Sequence, residues 1–436
     1  MPAKICIIGT GYVGMASAIG LAELGCTVVG YDVAIDLIAG LRAGTTPYHE
    51  AGIEESIRRH LDSGRLSFVA DLDAAVDGAQ FVVVCVGTPA RHDGAADLSG
   101  LSSAVAALRR SRLRRSSVVV VRSTVPPGTS DGVAESLRGR ADVVYAPEFL
   151  REGSAVHDFL HPDRIVIGAA SLAAASSYAR LFESLQVPLV FTTRRNAELV
   201  KAVSNAFLAL KISFANEVAN LCDVLGADAE DVLRGAAYDR RIGPAYLGPG
   251  IGFGGPCFEK DLRSLDHIAS QTGIDCRLFA TTLSVNDRQQ RRVVEILAEE
   301  LGTLAGAHVG VWGLAFKPGT DDVRDSLALR ILTELRRRGA TVTAFDPSVH
   351  LAPLPEGCTI AASALEAAEA DALLVLTEWP SFRQIAPAAI AARVRRGLVV
   401  DGRNVLDAQR IVATGLRYRG IGRTAEPRPE RLVAAV

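Results

Sequence analysis

A chain of 436 residues, 49% apolar and with a formal net charge of -2, has material for two or three hydrophobic cores at roughly 150 residues each. So balanced a charge gives no global field for nucleic acid or an anionic membrane, and the arginine clusters at 109–115 and 336–338 read as solvated helix ends. No apolar run approaches the ~18 residues of a membrane helix and the first residues enter a strand without a signal-peptide profile, so the expectation is a cytoplasmic multi-domain protein.

Lys4 to Ile8 has the pattern of a short buried strand. It is followed by Gly9-Thr10-Gly11-Tyr12-Val13-Gly14, an amphipathic helix to Leu24, and a second strand from Thr27 to Tyr31 that ends on Asp32. Strand, glycine turn, helix, strand and acid make one βαβ unit of the dinucleotide-binding kind. The glycines let backbone approach a pyrophosphate, the helix N-terminus supplies N–H groups and positive dipole, and Asp32 accepts from a ribose hydroxyl. An acid at that place repels a 2'-phosphate, which favours NAD over NADP.

Further strands at Phe81 to Val86 and Val118 to Val121 end in polar loops that carry Thr88 and Thr124. In open α/β sheets ligands lie at the carboxyl ends of strands, so both threonines either face the cofactor or cap the helices that follow. A strand from Val143 to Tyr145 delivers Glu148 to the same edge, where a carboxylate can act as general base on water. Glu152, four residues on, is as easily a surface charge by pattern alone.

From Asn196 to Leu225 apolar residues recur at 199, 203, 207, 210, 214, 218, 221 and 225 with no Gly or Pro between. This predicts one helix about 45 Å long, long enough to join two domains and to pack against its twin in a dimer. Lys201 and Asn205 lie four apart on it, off that stripe, and offer a cation and an amide that could stabilise an oxyanion; the bland reading is two polar-face residues. Only five of the 47 basic residues are lysines, at 4, 201, 211, 260 and 317, so retention of lysine at 201, 260 and 317 marks places where a compact charge is needed.

Gly252-Phe253-Gly254-Gly255-Pro256-Cys257-Phe258-Glu259-Lys260-Asp261 is a glycine-rich loop that delivers one thiol among charges. The other cysteines that fall on strands or a helix, Cys6, Cys85 and Cys222, read as inert. None of the seven forms a Cys-x-x-Cys pair and the histidines are scattered, so neither a disulfide framework nor a metal site is indicated. A hydride acceptor together with a cysteine nucleophile allows an aldehyde to be trapped as a thiohemiacetal that can lose a second hydride.

The last third repeats the first. His308 to Trp312, Ala372 to Leu376 and Leu398 to Asp401 read as strands, Ser326 to Arg337 as a helix, and the run ending on Asp346 echoes the run ending on Asp32. A second Rossmann-like sheet follows, whose first loop, Gly313 to Gly319, lacks the three-glycine spacing and so suits a ligand other than a second dinucleotide. The fold class is therefore α/β, with two Rossmann-like, doubly wound parallel-sheet domains joined by a long central helix and a helical middle domain. Its boundaries are a dinucleotide domain over 1–193, a middle domain with the Cys257 loop over 194–303, a second Rossmann-like domain over 304–422, and a loosely ordered tail over 423–436.

In order, these motifs resemble the nucleotide-sugar 6-dehydrogenases of the UDP-glucose/GDP-mannose dehydrogenase family, over nearly the whole chain. The resemblance implies a four-electron oxidation at C6 of the hexose with two NAD in succession, UDP-glucose leading and dTDP-glucose, GDP-mannose and UDP-N-acetylhexosamines behind it. It implies Cys257 as nucleophile, Lys201 and Asn205 as oxyanion stabilisers, and Thr124, Glu148 and Asp261 as the groups that order or activate water. By the same resemblance Gly9, Gly11, Tyr12, Val13, Gly14, Asp32, Thr88, Thr124, Glu152 and Arg324 hold NAD. Phe149, Leu150, Glu152, Phe253, Gly254, Phe316, Lys317 and Arg403 would hold the nucleotide sugar with Glu148, Lys201, Asn205 and Cys257, and the molecule is a homodimer or larger. Two positions depart from the family pattern: Pro256 stands where serine is usual and Ala51 where proline is usual. The alternatives are a two-electron 3-hydroxyacid-type dehydrogenase and a non-catalytic NAD-binding regulatory protein.

Overall fold

The computed structural model describes residues 2–48, 50 and 52–423; the tail from 424 onward and the departure at Ala51 lie outside the described residues. The chain divides into two compact units, Met1–Asn205 with Arg263–Gly273, and Ala206–Leu262 with Ile274–Val436.

The first unit is built on an eight-stranded sheet: β1 (Lys4–Ile8), β2 (Thr27–Tyr31), β3 (Leu66–Val69), β4 (Phe81–Val84), β5 (Val118–Val121), β6 (Asp142–Tyr145), β7 (Ile165–Ala169) and β8 (Leu189–Thr192), in the spatial order 3-2-1-4-5-6-7-8. Its central strands are runs of Val and Ile buried on both faces, as helices covering both sides of a parallel sheet require. Alternation sorts them: Ile5, Ile7, Val83 and Val120 enter one core, and Cys6, Ile8, Val82, Val84, Val119 and Val121 the other. The parallel winding has one exception. β7 pairs antiparallel with β6, through Val144 with Ala169 and Tyr145 with Gly168, while β8 runs parallel to β7.

In the second unit β9 (His308–Trp312), β10 (Thr341–Phe345), β11 (Cys358–Ile360), β12 (Ala372–Val375), β13 (Leu398–Asp401) and β14 (Arg417–Gly420) form a sheet in the order 11-10-9-12-13-14. All its pairings are parallel, so it repeats the winding of the first six strands, as the sequence echo predicts.

Six helices position the residues of interest: α1 (Tyr12–Glu23), α2 (Thr129–Ser136), α3 (Arg194–Leu225), α4 (Phe258–Thr272), α5 (Arg277–Leu301) and α6 (Leu327–Arg337). The long helix is 32 residues, starting two residues before its predicted bound. Its large apolar stripe faces outward: Leu199, Val203, Phe207, Phe214 and Leu221 are exposed, and its buried side is a seam of Ala202, Ala206, Ala209, Ala215 and Ala219. Small residues there let neighbouring backbone come close, and Lys201, Asn205, Ser213 and Asn216 are buried beside them.

Candidate functional site

The glycine turn between β1 and α1 is shaped by two close approaches. Gly9 has φ of +89° and its N–H donates to the Tyr31 carbonyl at 2.9 Å; a Cβ on Gly14 would lie 1.8 Å from the Gly9 carbonyl oxygen. Gly11 is different. A Cβ there would meet nothing nearer than the Tyr48 hydroxyl at 3.9 Å, so the protein itself does not require glycine, and the space over the start of α1 fits a pyrophosphate. Asp32, half-buried, accepts from the Thr10 N–H at 2.8 Å and the Ala34 N–H at 3.0 Å and keeps acceptor capacity for a ribose hydroxyl. Replacing Gly14 by alanine is expected to cost about 1–3 kcal/mol of overpacking at the turn, roughly a ten- to hundredfold loss of NAD affinity; fluorescence titration with NAD reads it.

The corresponding acid of the second sheet is used up internally. Asp346 is 1% exposed and its carboxylate accepts from the backbone N–H groups of Leu314, Ala315, Ser348 and Val349 and from the Trp379 indole N–H. A carboxylate so engaged has no room for a ribose, which agrees with the missing glycine spacing in that loop.

The Tyr12 hydroxyl is engaged within the protein: it donates to Glu50 and accepts from the Gly153 N–H. Glu50 in turn accepts from the Val156 N–H at 3.2 Å, so the glycine turn is tied to the loop after β6. Burial, then the neighbouring Glu50, pushes the Tyr12 phenol far up, and it stays a donor. Thr88 donates to the Thr124 carbonyl at 2.6 Å and Ser123 to the Val86 carbonyl at 2.6 Å, which stitches the loops after β4 and β5. Neither threonine caps a helix. The first N–H groups of α2 are met instead by Glu198 of α3, which accepts from Gly128 at 2.5 Å and Ser130 at 2.7 Å. Burial pushes the Glu198 carboxyl up.

Glu148 and Lys201 form a buried ion pair at 3.0 Å, and the Leu150 N–H donates to the same carboxylate at 2.6 Å. Burial alone would raise the Glu148 carboxyl, but the ammonium of Lys201, that N–H and the Arg122 guanidinium outweigh it and hold the group below its ordinary range. The Phe149 ring packs under the Arg164 guanidinium at 3.8 Å and is 5.4 Å from the Lys201 nitrogen. One helical turn on, Asn205 is buried on the same side of α3 as Lys201. Glu148, Phe149, Arg164 and Lys201 thus lie together in the first unit.

In the second unit Cys257 is exposed, in contrast to Cys6, Cys26, Cys85 and Cys222. Burial pushes the Cys85 thiol up to about 12, which fits an inert reading. The Cys257 carbonyl accepts from the Asp261 N–H at 3.0 Å and so opens α4, with the thiol at the positive end of that helix where negative charge is favoured. Pro256 precedes the hydrogen-bonded turn, so its missing N–H costs the helix nothing. Asp261 is 2% exposed and takes the Lys260 ammonium at 2.5 Å.

The approach to the thiol is held at fixed points. Gly252 has φ of +107° and Gly255 of +83°, and Cβ atoms at 252, 254 and 255 would fall within 2.3–2.8 Å of Asn286, the Asp325 carbonyl and the Phe316 ring respectively. The Gly255 N–H donates to the Asp325 carbonyl at 3.2 Å. Arg403 donates to the carbonyls of Gly252 and Leu376, each at 2.9 Å, and pairs with Glu378 at 3.2 Å, so this expected substrate residue shapes the loop. Lys317 lies 5.8 Å from the centre of the Phe316 ring, and Arg324 forms a bidentate pair with Asp322. Sequence reasoning missed Glu198, Asn216, Asn286 and Gln289. The signal for the last two was amides at positions 286 and 289, on the apolar stripe of α5 between Val285 and Val293.

Three family models match in succession: the UDP-glucose/GDP-mannose dehydrogenase NAD binding domain over 3–186, the central domain over 195–288 and the UDP binding domain over 310–408. The chain belongs to the UDP-glucose/GDP-mannose dehydrogenase family. It is an NAD-dependent nucleotide-sugar dehydrogenase. Among relatives in this family, a UDP-glucose 6-dehydrogenase of Rhizobium meliloti (strain 1021) is 42% identical, covering 96% of this chain and 99% of its own. A UDP-glucose dehydrogenase of Pyrobaculum islandicum superposes with a TM-score of 0.89 at 40% identity, over 97% of this chain and 98% of that one. A UDP-D-ManNAc dehydrogenase of Pyrococcus horikoshii gives 0.85 at 29% identity, over 96% and 99%. The site fits the cofactor of this family at Gly9–Gly14 and Asp32. Among the described residues no helix is long and apolar enough to cross a membrane.

Proposed function

We propose that this enzyme oxidises UDP-glucose at C6 to UDP-glucuronate in two successive two-electron steps, with Cys257 carrying the covalent intermediates. The observation that carries the reading is the exposed thiol of Cys257 at the start of α4, at the end of a glycine loop fixed by four elements of its unit. NAD, bound at the glycine turn, supplies the hydride acceptor for each step.

The chain's own residues divide the remaining work. The Cys257 thiolate adds to the aldehyde to give a thiohemiacetal; loss of hydride leaves a thioester, and water then releases the carboxylate and frees the thiol. Lys201 and Asn205 stabilise the oxyanions, and Thr124, Glu148 and Asp261 order or activate water. Glu148, held ionised, can accept a proton, and the Lys201 cation that this leaves uncompensated is balanced by the oxyanion it stabilises. Phe149, Leu150, Glu152, Phe253, Gly254, Phe316, Lys317 and Arg403 serve the nucleotide sugar, and Thr88 and Arg324 the cofactor. A two-electron 3-hydroxyacid-type reaction would require neither the second sheet nor the thiol.

The reading is tested with a panel of UDP-, dTDP- and GDP-hexoses and UDP-N-acetylhexosamines followed by NADH absorbance. UDP-glucose is expected to give the highest kcat/KM; a dTDP, GDP or N-acetyl substrate that exceeds it by tenfold would reassign the substrate. We further place the enzyme in the cytoplasm, where thiols stay reduced, and read it as a homodimer through α3, because large apolar side chains, Phe207 and Phe214 among them, lie exposed along that helix. Phe207→Asp combined with Phe214→Asp is expected to turn a dimer into a monomer in analytical ultracentrifugation, and an unchanged sedimentation coefficient would remove α3 from the interface.

A further inference from the structure

In the second unit three buried side-chain amides, Asn286, Gln289 and Asn216, bond to the backbone of the segment that leads to Cys257. Asn286 of α5 is 1% exposed; its Oδ1 accepts from the Phe253 N–H at 2.8 Å and its Nδ2 donates to the Phe253 carbonyl at 2.9 Å. Gln289, one turn on, donates to the Gly250 carbonyl at 2.8 Å, and Asn216 of α3 accepts from the Gly250 N–H at 2.7 Å. The N–H and the carbonyl of Gly250, and those of Phe253 three residues on, are therefore satisfied by side chains and not by secondary structure. The fit is tight, since a Cβ on Gly252 would sit 2.3 Å from the Asn286 Oδ1.

Burying amides on the apolar stripe of α5 is costly unless each one is satisfied, and a hydrophobic residue would pack there as well. What hydrophobic residues cannot do is fix the orientation of two peptide groups in a loop that contains three glycines and has no ladder of its own. We propose that Asn286, supported by Asn216 and Gln289, is a positioning residue for the nucleophile: it fixes the Phe253 peptide, and through four residues of loop it fixes where the Cys257 sulfur stands when α4 begins. This rests on the assignment of Cys257 as nucleophile. A displacement of about 1 Å at a reacting atom costs on the order of a hundredfold in rate.

The charged groups around the Phe253–Asn286 pair are Arg403, whose Nη1 donates to the Gly252 carbonyl, Glu378 paired with Arg403, and Asp325, whose carbonyl accepts from Gly255. They make a paired set of substitutions informative. Asn286→Ala removes both hydrogen bonds at every pH. Asn286→Asp keeps the acceptor and places a second acceptor against the Phe253 carbonyl, except when the introduced carboxyl is protonated and can donate again. Burial favours that protonated form.

The experiment measures three quantities on each folded holoenzyme: kcat and KM for the nucleotide sugar, the KM for NAD, and the second-order rate of Cys257 alkylation by iodoacetamide, read by peptide mass. Expected for Asn286→Ala is a kcat lower by about a hundredfold, with a changed alkylation rate and an unchanged KM for NAD. Expected for Asn286→Asp is the same defect at pH 8 that shrinks at least tenfold, relative to the parent, as pH falls to 6. Parent-like kcat and alkylation in Asn286→Ala would overturn the proposal, as would an Asn286→Asp defect that is constant with pH. Should Asn286→Ala fail to fold, the pH series on Asn286→Asp decides alone. If instead Cys257 in the parent is no faster than the other thiols, it is the nucleophile assignment that fails.

Discussion

Cys257→Ser is expected to lose NADH production from the nucleotide sugar by on the order of 10³- to 10⁶-fold while binding NAD as the parent does. A serine hydroxyl is a far weaker nucleophile than a thiolate, and no base is assigned to activate it at this position. The thiol stands at the N-terminus of α4, where the helix stabilises negative charge on sulfur, and its six counterparts are buried or half-buried. The parent should therefore be inactivated by iodoacetamide with one equivalent of label at Cys257, and NAD titration of the variant separates lost chemistry from lost binding.

Lys201→Met is expected to have the second largest effect. It leaves the Glu148 carboxylate buried with only the Leu150 N–H and the Arg122 charge to hold it, and breaking a buried pair by removing one partner typically costs about 3–5 kcal/mol. The sign with pH follows from the depressed Glu148 value. In the parent the pair contributes stability that is fully present above the ordinary glutamate range and is lost as pH falls through the depressed folded value. In the variant burial is no longer outweighed and the carboxyl rises, so the stability deficit against the parent is largest at neutral pH and shrinks on acidification as the buried carboxyl takes up a proton, while activity that needs Glu148 ionised is lost at higher pH than in the parent. Thermal melts of parent and variant between pH 4 and 8 check both parts; a variant that melts within 1 °C of the parent throughout would contradict the pairing.

The first sheet was legible in β1, β2, β4 and β5, whose short apolar runs end in glycine or polar turns, and β1 and β2 fall at their predicted bounds, while Leu66–Val69 of β3 was not read as a strand. The second sheet was legible by repetition, since the run ending on Asp346 copies the run ending on Asp32 while using the acid for a different purpose. The reversal at β7 was not legible: Ile165–Ala169 reads the same whether its neighbour runs parallel or antiparallel, and only long-range pairing decides. On α3 the periodicity located a helix but not its inward face, because the alanine seam that packs is weaker in hydropathy than the stripe left outside.

The site divided along similar lines. Lys201, Glu148, Asn205 and Cys257 stand out in the sequence because a cation and an amide four apart on a helix, a carboxylate at a strand end and a thiol in a glycine loop are chemically conspicuous. Glu198, Asn216, Asn286 and Gln289 were passed over because their work is to satisfy backbone groups of loops far away in sequence, 33 residues in the case of Phe253 and Asn286, and nothing local marks such a partner.

The central claim is that one active thiol takes a single sugar through two oxidations, and the stoichiometry of turnover tests it most directly. With limiting UDP-glucose, excess NAD and chemical analysis of the product, the account predicts two NADH and one uronate per sugar nucleotide consumed. One NADH per sugar with an aldehyde or ketone as product would contradict it.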